Sequence, residues 1–298
     1  LFLYAAFNAP HLPNEAPQAA IDRYAHIENP HRRKHAAMVS ELDTGVGRIV
    51  EALEREGLRD NTLLVFMSYN GGLNPGVAPE KARRFAETID NWFGAPAPLS
   101  ILEFIRSNTL EGGGDNTPFR KGKTTVYEGG VRVPALVYWP GTLHPRLHNN
   151  VITVEDILPT LAELIGFNAA PNADFDGASQ WAALTGKGKS SRPPLLTQSR
   201  TGTEAWYQFP WKLIIPKDGE PELYQLEQDP FEAKNLAVAE PERVVQMLAS
   251  HAQQPRGRSI ELPLYKVVFD IDLFGGEENR EAWAELIARR AAQRELKP

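Results

Sequence analysis

The chain has 298 residues, of which 42% are hydrophobic and 23% charged, with a formal net charge of −6. That length suits one large domain or a domain with a smaller lobe, and the acidic balance argues against a nucleic-acid binder. No cysteine is present, which excludes disulfides, zinc–thiolate sites and thiol catalysis within these residues, and no apolar run reaches the length of a membrane span.

In chain order, "LFLYAAF" at 1–7 reads as a buried strand that ends before Pro10, since proline gives no donor to a sheet ladder. A domain rarely opens inside its core, so this start on Leu1 carries the expectation of a fragment of a longer polypeptide. Val39, Leu42, Val46, Ile49, Val50 and Leu53 recur at helical spacing and predict a helix over 31–56, stopped by Gly57. "NTLLVFMS" at 61–68 is a continuous apolar run, expected as a buried strand of parallel type, and strand–helix–strand suggests a crossover unit. Residues 73–117 form an insertion punctuated by proline and glycine, with a possible helix at 99–107. Such an excursion is a lid, a partner surface or variable decoration.

"VRVPALVYWP" at 131–140 predicts a further strand. "TVEDILPTLAELIGF" at 153–167 predicts a capped helix with Thr153 as N-cap, Asp156 three residues on, Pro159 in its first turns or at a kink, and Gly166 at its stop. Residues 210–226 read as a hairpin turning at Asp218-Gly219. Helices are expected near 240–253 and 277–296, so the second half has the pattern of a small sheet with packed helices.

Three places stand out as candidates for chemistry: His11, the loop holding Arg120, Lys121 and Lys123, and the Tyr69-Asn70 turn. His11 follows a strand end, where open α/β sheets place their sites; it is otherwise a surface histidine. His31/His35 and His144/His148 have helical spacing but no third ligand nearby. Arg120, Lys121 and Lys123 crowd a glycine-containing loop, which is either a solvated basic loop or a cradle for an anionic ester oxygen. In "SYNGG", Asn70 offers an oxygen to a hard cation or is a turn residue before glycines. The phenol of Tyr69, with a reference pKa near ~10, brings no charge to a divalent ion.

Taken together, "FLYAAFNAPHLPNEAP", "AAMVSELDTGVGRIVEALEREGLRDNTLLVFMSYNGG", "PFRKGKTTVYEGGVRVPALVYWPG", "DILPTLAELIG", "DGASQWAALTG", "WKLI" and "LYQLEQDPFEAKNLA" occur in one order. This ordered set, from residue 1 to about 250, resembles the C-terminal portion of a formylglycine-dependent sulfatase of the arylsulfatase group, in the alkaline-phosphatase superfamily. The resemblance implies an α/β fold: an alkaline-phosphatase-like mixed-sheet sandwich, incomplete at the N-terminus, with a small C-terminal α+β subdomain. The expected division is 1–195 for the catalytic part and 196–298 for the subdomain and helical tail. It implies hydrolysis of sulfate esters to an alcohol and inorganic sulfate, with calcium as cofactor, a sulfated small molecule or glycan as partner, and a periplasmic or secreted setting.

By the same resemblance His11 and Lys123 match sulfate-facing residues, Asn70 matches a calcium ligand, and Tyr69 stands where the family has an aspartate ligand. The family's C-x-P-S-R nucleophile motif and any S-x-P-x-R substitute are absent from these 298 residues, so this chain alone is expected to be inactive. The alternatives are a degenerate sulfatase that binds sulfated ligands or a partner, and a related phosphate or phosphonate ester hydrolase.

Overall fold

The computed structural model describes residues 2–12, 14–73, 113–149, 151–167, 175–188, 192–199 and 202–254. The helices expected at 99–107 and 277–296, and most of the 73–117 insertion, lie outside the described residues. The chain divides into two compact units, Leu1–Gly47 with Gly72–Asp115 and Pro255–Pro298, and Arg48–Gly71 with Asn116–Gln254.

The first unit is built on helix. A short α1, Gln18–Asp22, precedes α2, Pro30–Arg55, the period-3.6 segment read above; the division between the units falls within α2, after Gly47. Asn29 caps α2: its Oδ1 accepts the backbone N–H groups of His31 and Arg32, each at 3.0 Å. Gly57 takes φ +65° and stops the helix as expected. Ala20, Ala37 and Met38 are buried here. Gly113 packs on α2, where a Cβ would lie 2.3 Å from His35 Cβ, and Arg32 Nη1 donates to its carbonyl at 2.6 Å. The run at 2–8 is not a strand. Phe2 and Tyr4 are each 82% exposed, because no described residue supplies a ladder or an apolar face for them. The crossover unit expected from residues 1–68 is therefore not formed among the described residues.

Among the described residues the second unit holds two sheets. β1, Leu64–Met67, pairs with β2, Ala135–Tyr138, and the pairing is antiparallel, with Leu64 opposite Tyr138 and Met67 opposite Ala135. The expectation of a buried, parallel-type β1 is thus corrected: Val65, Phe66 and Leu136 lie exposed. An apolar run records the burial a strand needs, and not which neighbour provides it. A helical turn, α3, Glu128–Val131, occupies the start of the segment expected as strand.

Further on, a 3-10 turn at Val154–Asp156 leads into α4, Ile157–Leu164, with Pro159 in its first turn and Gly166 at φ +66° past its end. The Asp156 carboxylate accepts the Thr153 N–H at 2.9 Å and pairs with Arg192 at 3.1 Å, so the expected cap is also a buried ion pair. After α5, Trp181–Thr185, come β3, Leu195–Gln198, β4, Glu204–Gln208, β5, Trp211–Ile215, and β6, Glu222–Gln225, antiparallel in that order. The β5–β6 connection is the predicted hairpin, with Gly219 at φ +121°. Strand alternation gives the sheet two buried faces. Trp206, Leu213 and Leu223 pack against Met247, Val244 and Leu248 of α6, Pro241–Ala252. Ala205, Tyr207, Ile214 and Tyr224 face Val126 and Tyr127, in the loop that carries Lys123.

Candidate functional site

Glycines build the junction on which the candidate residues sit. The Gly71 N–H donates to Gly130 O at 2.8 Å, and the Gly129 N–H donates to Arg120 O at 2.9 Å. A Cβ on Gly71 would lie 1.8 Å from Gly129 O, and one on Gly129 would lie 2.3 Å from Lys121 O. Backbones approach this closely only where no side chain intervenes. The loop leaving β1 is thereby set against α3 and the 120–127 loop. Lys123 Nζ lies 5.8 Å from the centroid of the Tyr69 ring, within cation–π range, and the ring is 77% exposed. Lys121 at φ 58° and Thr124 at φ 74° flank Lys123 in left-handed backbone, which costs a side-chain-bearing residue about 1–2 kcal/mol. Strain of this kind persists where the surroundings over-determine the loop.

The three cations of this loop have separate roles. Arg120 Nη1 donates to Glu222 Oε2 at 2.8 Å and to the Tyr224 hydroxyl, and its guanidinium lies 4.4 Å from the Tyr127 ring centroid. Tyr127 Oη donates to Glu222 Oε1 at 2.6 Å, and Tyr224 Oη donates to Oε2 of the same carboxylate. Burial, then the hydrogen bond to Glu222 and its charge, holds both phenols well above their usual pKa. Burial acts to raise the Glu222 pKa, but the hydrogen bonds from Tyr127, Tyr224 and Arg120 outweigh it, and the net shift is down. Lys121 Nζ lies 4.0 Å from the Tyr127 centroid. Of the three, Lys123 is the one that faces Tyr69.

Behind α3 lies a charged cluster that sequence reasoning missed. Lys212 Nζ is 2.9 Å from Glu128 Oε1 and 2.6 Å from Glu232 Oε1, with Lys212 and Glu232 side chains fully buried. Glu232 Oε2 accepts the Glu128 N–H at 2.8 Å, and Tyr207 Oη donates to Glu128 Oε1 at 3.3 Å. Burial raises the Glu232 pKa against the opposing pull of Lys212, and raises that of Tyr207. The one available signal was a lone lysine inside the apolar strand "WKLII". An open cleft of about 700 Å³ runs past Arg120, Glu222, Tyr224, Phe231 and Glu232.

His11 lies in the other compact unit, exposed, with Nδ1 2.7 Å from Leu12 O. The donors beside Lys123 are few for a hard divalent ion. Asn70 offers one neutral amide oxygen and Tyr69 a neutral phenol, and no group of three His, Cys, Asp or Glu side chains is placed to hold a metal among the described residues. Such ions take several oxygens, with carboxylates setting affinity. The residues present do not fit the metal by themselves.

Residues 1–167 match the family described as Sulfatase. An N-acetylgalactosamine-6-O-sulfatase of Bacteroides thetaiotaomicron is 29% identical over 222 residues, covering 70% of this chain and 39% of that protein. Human arylsulfatase A is 32% identical over 194 residues, covering 65% of this chain and 30% of that protein. Among solved structures, Ps i-CgsB in complex with k-i-k-neocarrahexaose matches with a TM-score of 0.62 at 24% identity, over 94% of this chain and 53% of that one. The chain therefore spans 39% or less of these two curated relatives, and the structural likeness establishes an α/β fold of the alkaline-phosphatase-like kind.

Proposed function

We propose, for a chain that belongs to the sulfatase family, that it carries the sulfate-facing part of a sulfuric ester hydrolase site. The observation behind this is the glycine junction, which sets "SYNGG" against the loop of Lys123 and leaves Lys123 facing an exposed ring. Sulfate ester hydrolysis is the family's reaction. In it, charge builds on the sulfate oxygens and on the leaving oxygen as the S–O bond opens. A preorganised ammonium meets that charge, and an imidazolium can return a proton to the leaving group. We assign the first role to Lys123 and the second to His11.

The family suggests a divalent metal, and we assign calcium, with Asn70 as one ligand; the described residues place no carboxylate set for it, and no C-x-P-S-R motif is present in 1–298. Likeness to an N-acetylgalactosamine-6-O-sulfatase supports a sulfated sugar as substrate. The test is turnover of 4-nitrophenyl sulfate. Residues 1–298 alone are expected to give none, because no C-x-P-S-R motif is present. In a polypeptide that joins this chain to the family's nucleophile segment, Lys123→Ala and His11→Ala should each lower turnover by about tenfold to a thousandfold. Unchanged turnover would remove the residue concerned from the site.

One observation favours a second reading. Tyr69 presents an uncharged, exposed ring to Lys123 where the resemblance implies an aspartate. A ring beside an ammonium suits a sulfated sugar held without metal, by stacking and charge, which is a non-hydrolytic binder. Binding of a sulfated monosaccharide that survives EDTA would select this reading; binding abolished by EDTA would discard it.

A further inference from the structure

The buried Lys212 cluster is absorbed by neither reading. Its members come from β5, from α3 and from the loop after β6, at positions 212, 128 and 232. Two buried carboxylates share one buried amine, and the half-exposed Arg132 guanidinium lies 3.8 Å from the other oxygen of Glu128. Swapping such groups for apolar ones is often neutral or stabilising, so stability alone is a weak reason for the cluster. Its position gives a stronger one. Glu128 opens α3, and the next two residues are Gly129 and Gly130, which hold the carbonyl of Arg120 and the N–H of Gly71. Each step is a direct contact: Lys212 to Glu128 at 2.9 Å, Glu232 to the Glu128 N–H at 2.8 Å, Gly129 to Arg120 at 2.9 Å, Gly130 to Gly71 at 2.8 Å.

We propose that Lys212, acting through Glu128, is a positioning residue: it clamps α3 to the four-stranded sheet and so holds the glycine junction that sets Lys123 against Tyr69. An ammonium between two carboxylates fixes α3 in direction as well as in depth. An apolar side chain at 212 would bury the same area without specifying where the Glu128 carboxylate sits. The functional weight of the clamp rests on the sulfate-facing assignment of Lys123. The clamp itself is a statement about the junction, and can fail while that assignment stands.

The experiment is amide hydrogen exchange by NMR on the full 298-residue chain, kept dispersed in every sample by Phe66→Thr and Leu136→Thr on the exposed faces of β1 and β2. The Gly71 and Gly129 N–H groups report the junction. The Leu223 and Leu236 N–H groups, bonded to Asn235 Oδ1 at 3.0 Å and Leu223 O at 2.8 Å, report the sheet. In Lys212→Met, Gly71 and Gly129 should exchange at least about tenfold faster, while Leu223 and Leu236 stay within about threefold of wild type. Wild-type protection at Gly71 and Gly129 would overturn the proposal. Equal acceleration at all four sites would also overturn it, since Lys212 would then support only the stability of the sheet. Glu128→Ala keeps the Lys212–Glu232 pair and the bond from the residue-128 N–H to Glu232, and removes only the carboxylate by which Lys212 reaches α3; if Lys212→Met does not fold, the same local acceleration in Glu128→Ala decides the matter by the same criteria.

Discussion

At the scale of single residues, Tyr69 separates the two functional readings. In a polypeptide that supplies the further carboxylates the family resemblance implies, Tyr69→Asp adds a charged ligand beside Asn70 and should raise calcium affinity, measured by titration calorimetry. Affinity that stays level would show that position 69 does not face the ion. Glu222 offers a second residue-scale test. Its folded pKa lies below the ordinary 4.5, so its stabilising contribution is complete above that value and is lost as pH falls through the folded pKa. Glu222→Gln should therefore lower the melting temperature at pH 7, and the gap from wild type should narrow below pH 4.5. A gap independent of pH would sink the charge-based account. Neither Tyr69 nor Glu222 could be placed from the sequence alone. "SYNGG" marks Tyr69 as unusual, but the partner of its ring lies in another loop. Glu222 looks like an ordinary strand residue until Arg120, 102 positions away, is found against it.

Elements in this chain were legible where their signals are local. The helix over 31–56 appears as α2 at Pro30–Arg55, stopped by Gly57, and the turn at Asp218-Gly219 joins β5 to β6. The strand at 1–7 was misread because an apolar run states a need for burial without naming the neighbour that meets it. α3 was missed because a four-residue turn containing two glycines has no helical propensity; packing imposes it. That packing leaves no room for a side chain at 129. Gly129→Ala should destabilise the second unit by at least about 2 kcal/mol in urea unfolding, because its Cβ would collide with the Arg120 and Lys121 carbonyls. A loss below about 0.5 kcal/mol would show the junction to be loose. Gly47 of α2 provides the contrast, as nothing lies within 4 Å of a Cβ added there.

For the molecule as a whole, the open question is what covers its apolar surface. Val65 and Phe66 of β1 and Leu136 of β2 are exposed, and a short two-stranded ribbon is marginal by itself in water. Residues 1–298 alone should bind a hydrophobic dye and aggregate, and Phe66→Thr with Leu136→Thr should reduce both while sparing the four-stranded sheet. A monomer with a sharp thermal transition and no dye binding would contradict this. Acidic composition, absence of cysteine, the caps, the hairpin and the ordered motifs of the sulfatase family were all determined by the sequence, because each depends on residues close together in the chain or on composition. Only the tertiary structure decided that Arg120 is neutralised by Glu222, that Lys123 faces Tyr69, and that Lys212 meets Glu128 and Glu232 in the interior. Those pairings join residues tens of positions apart, and whether a charge is spent on a neighbour or left to face a ligand depends on which distant side chain the fold brings beside it.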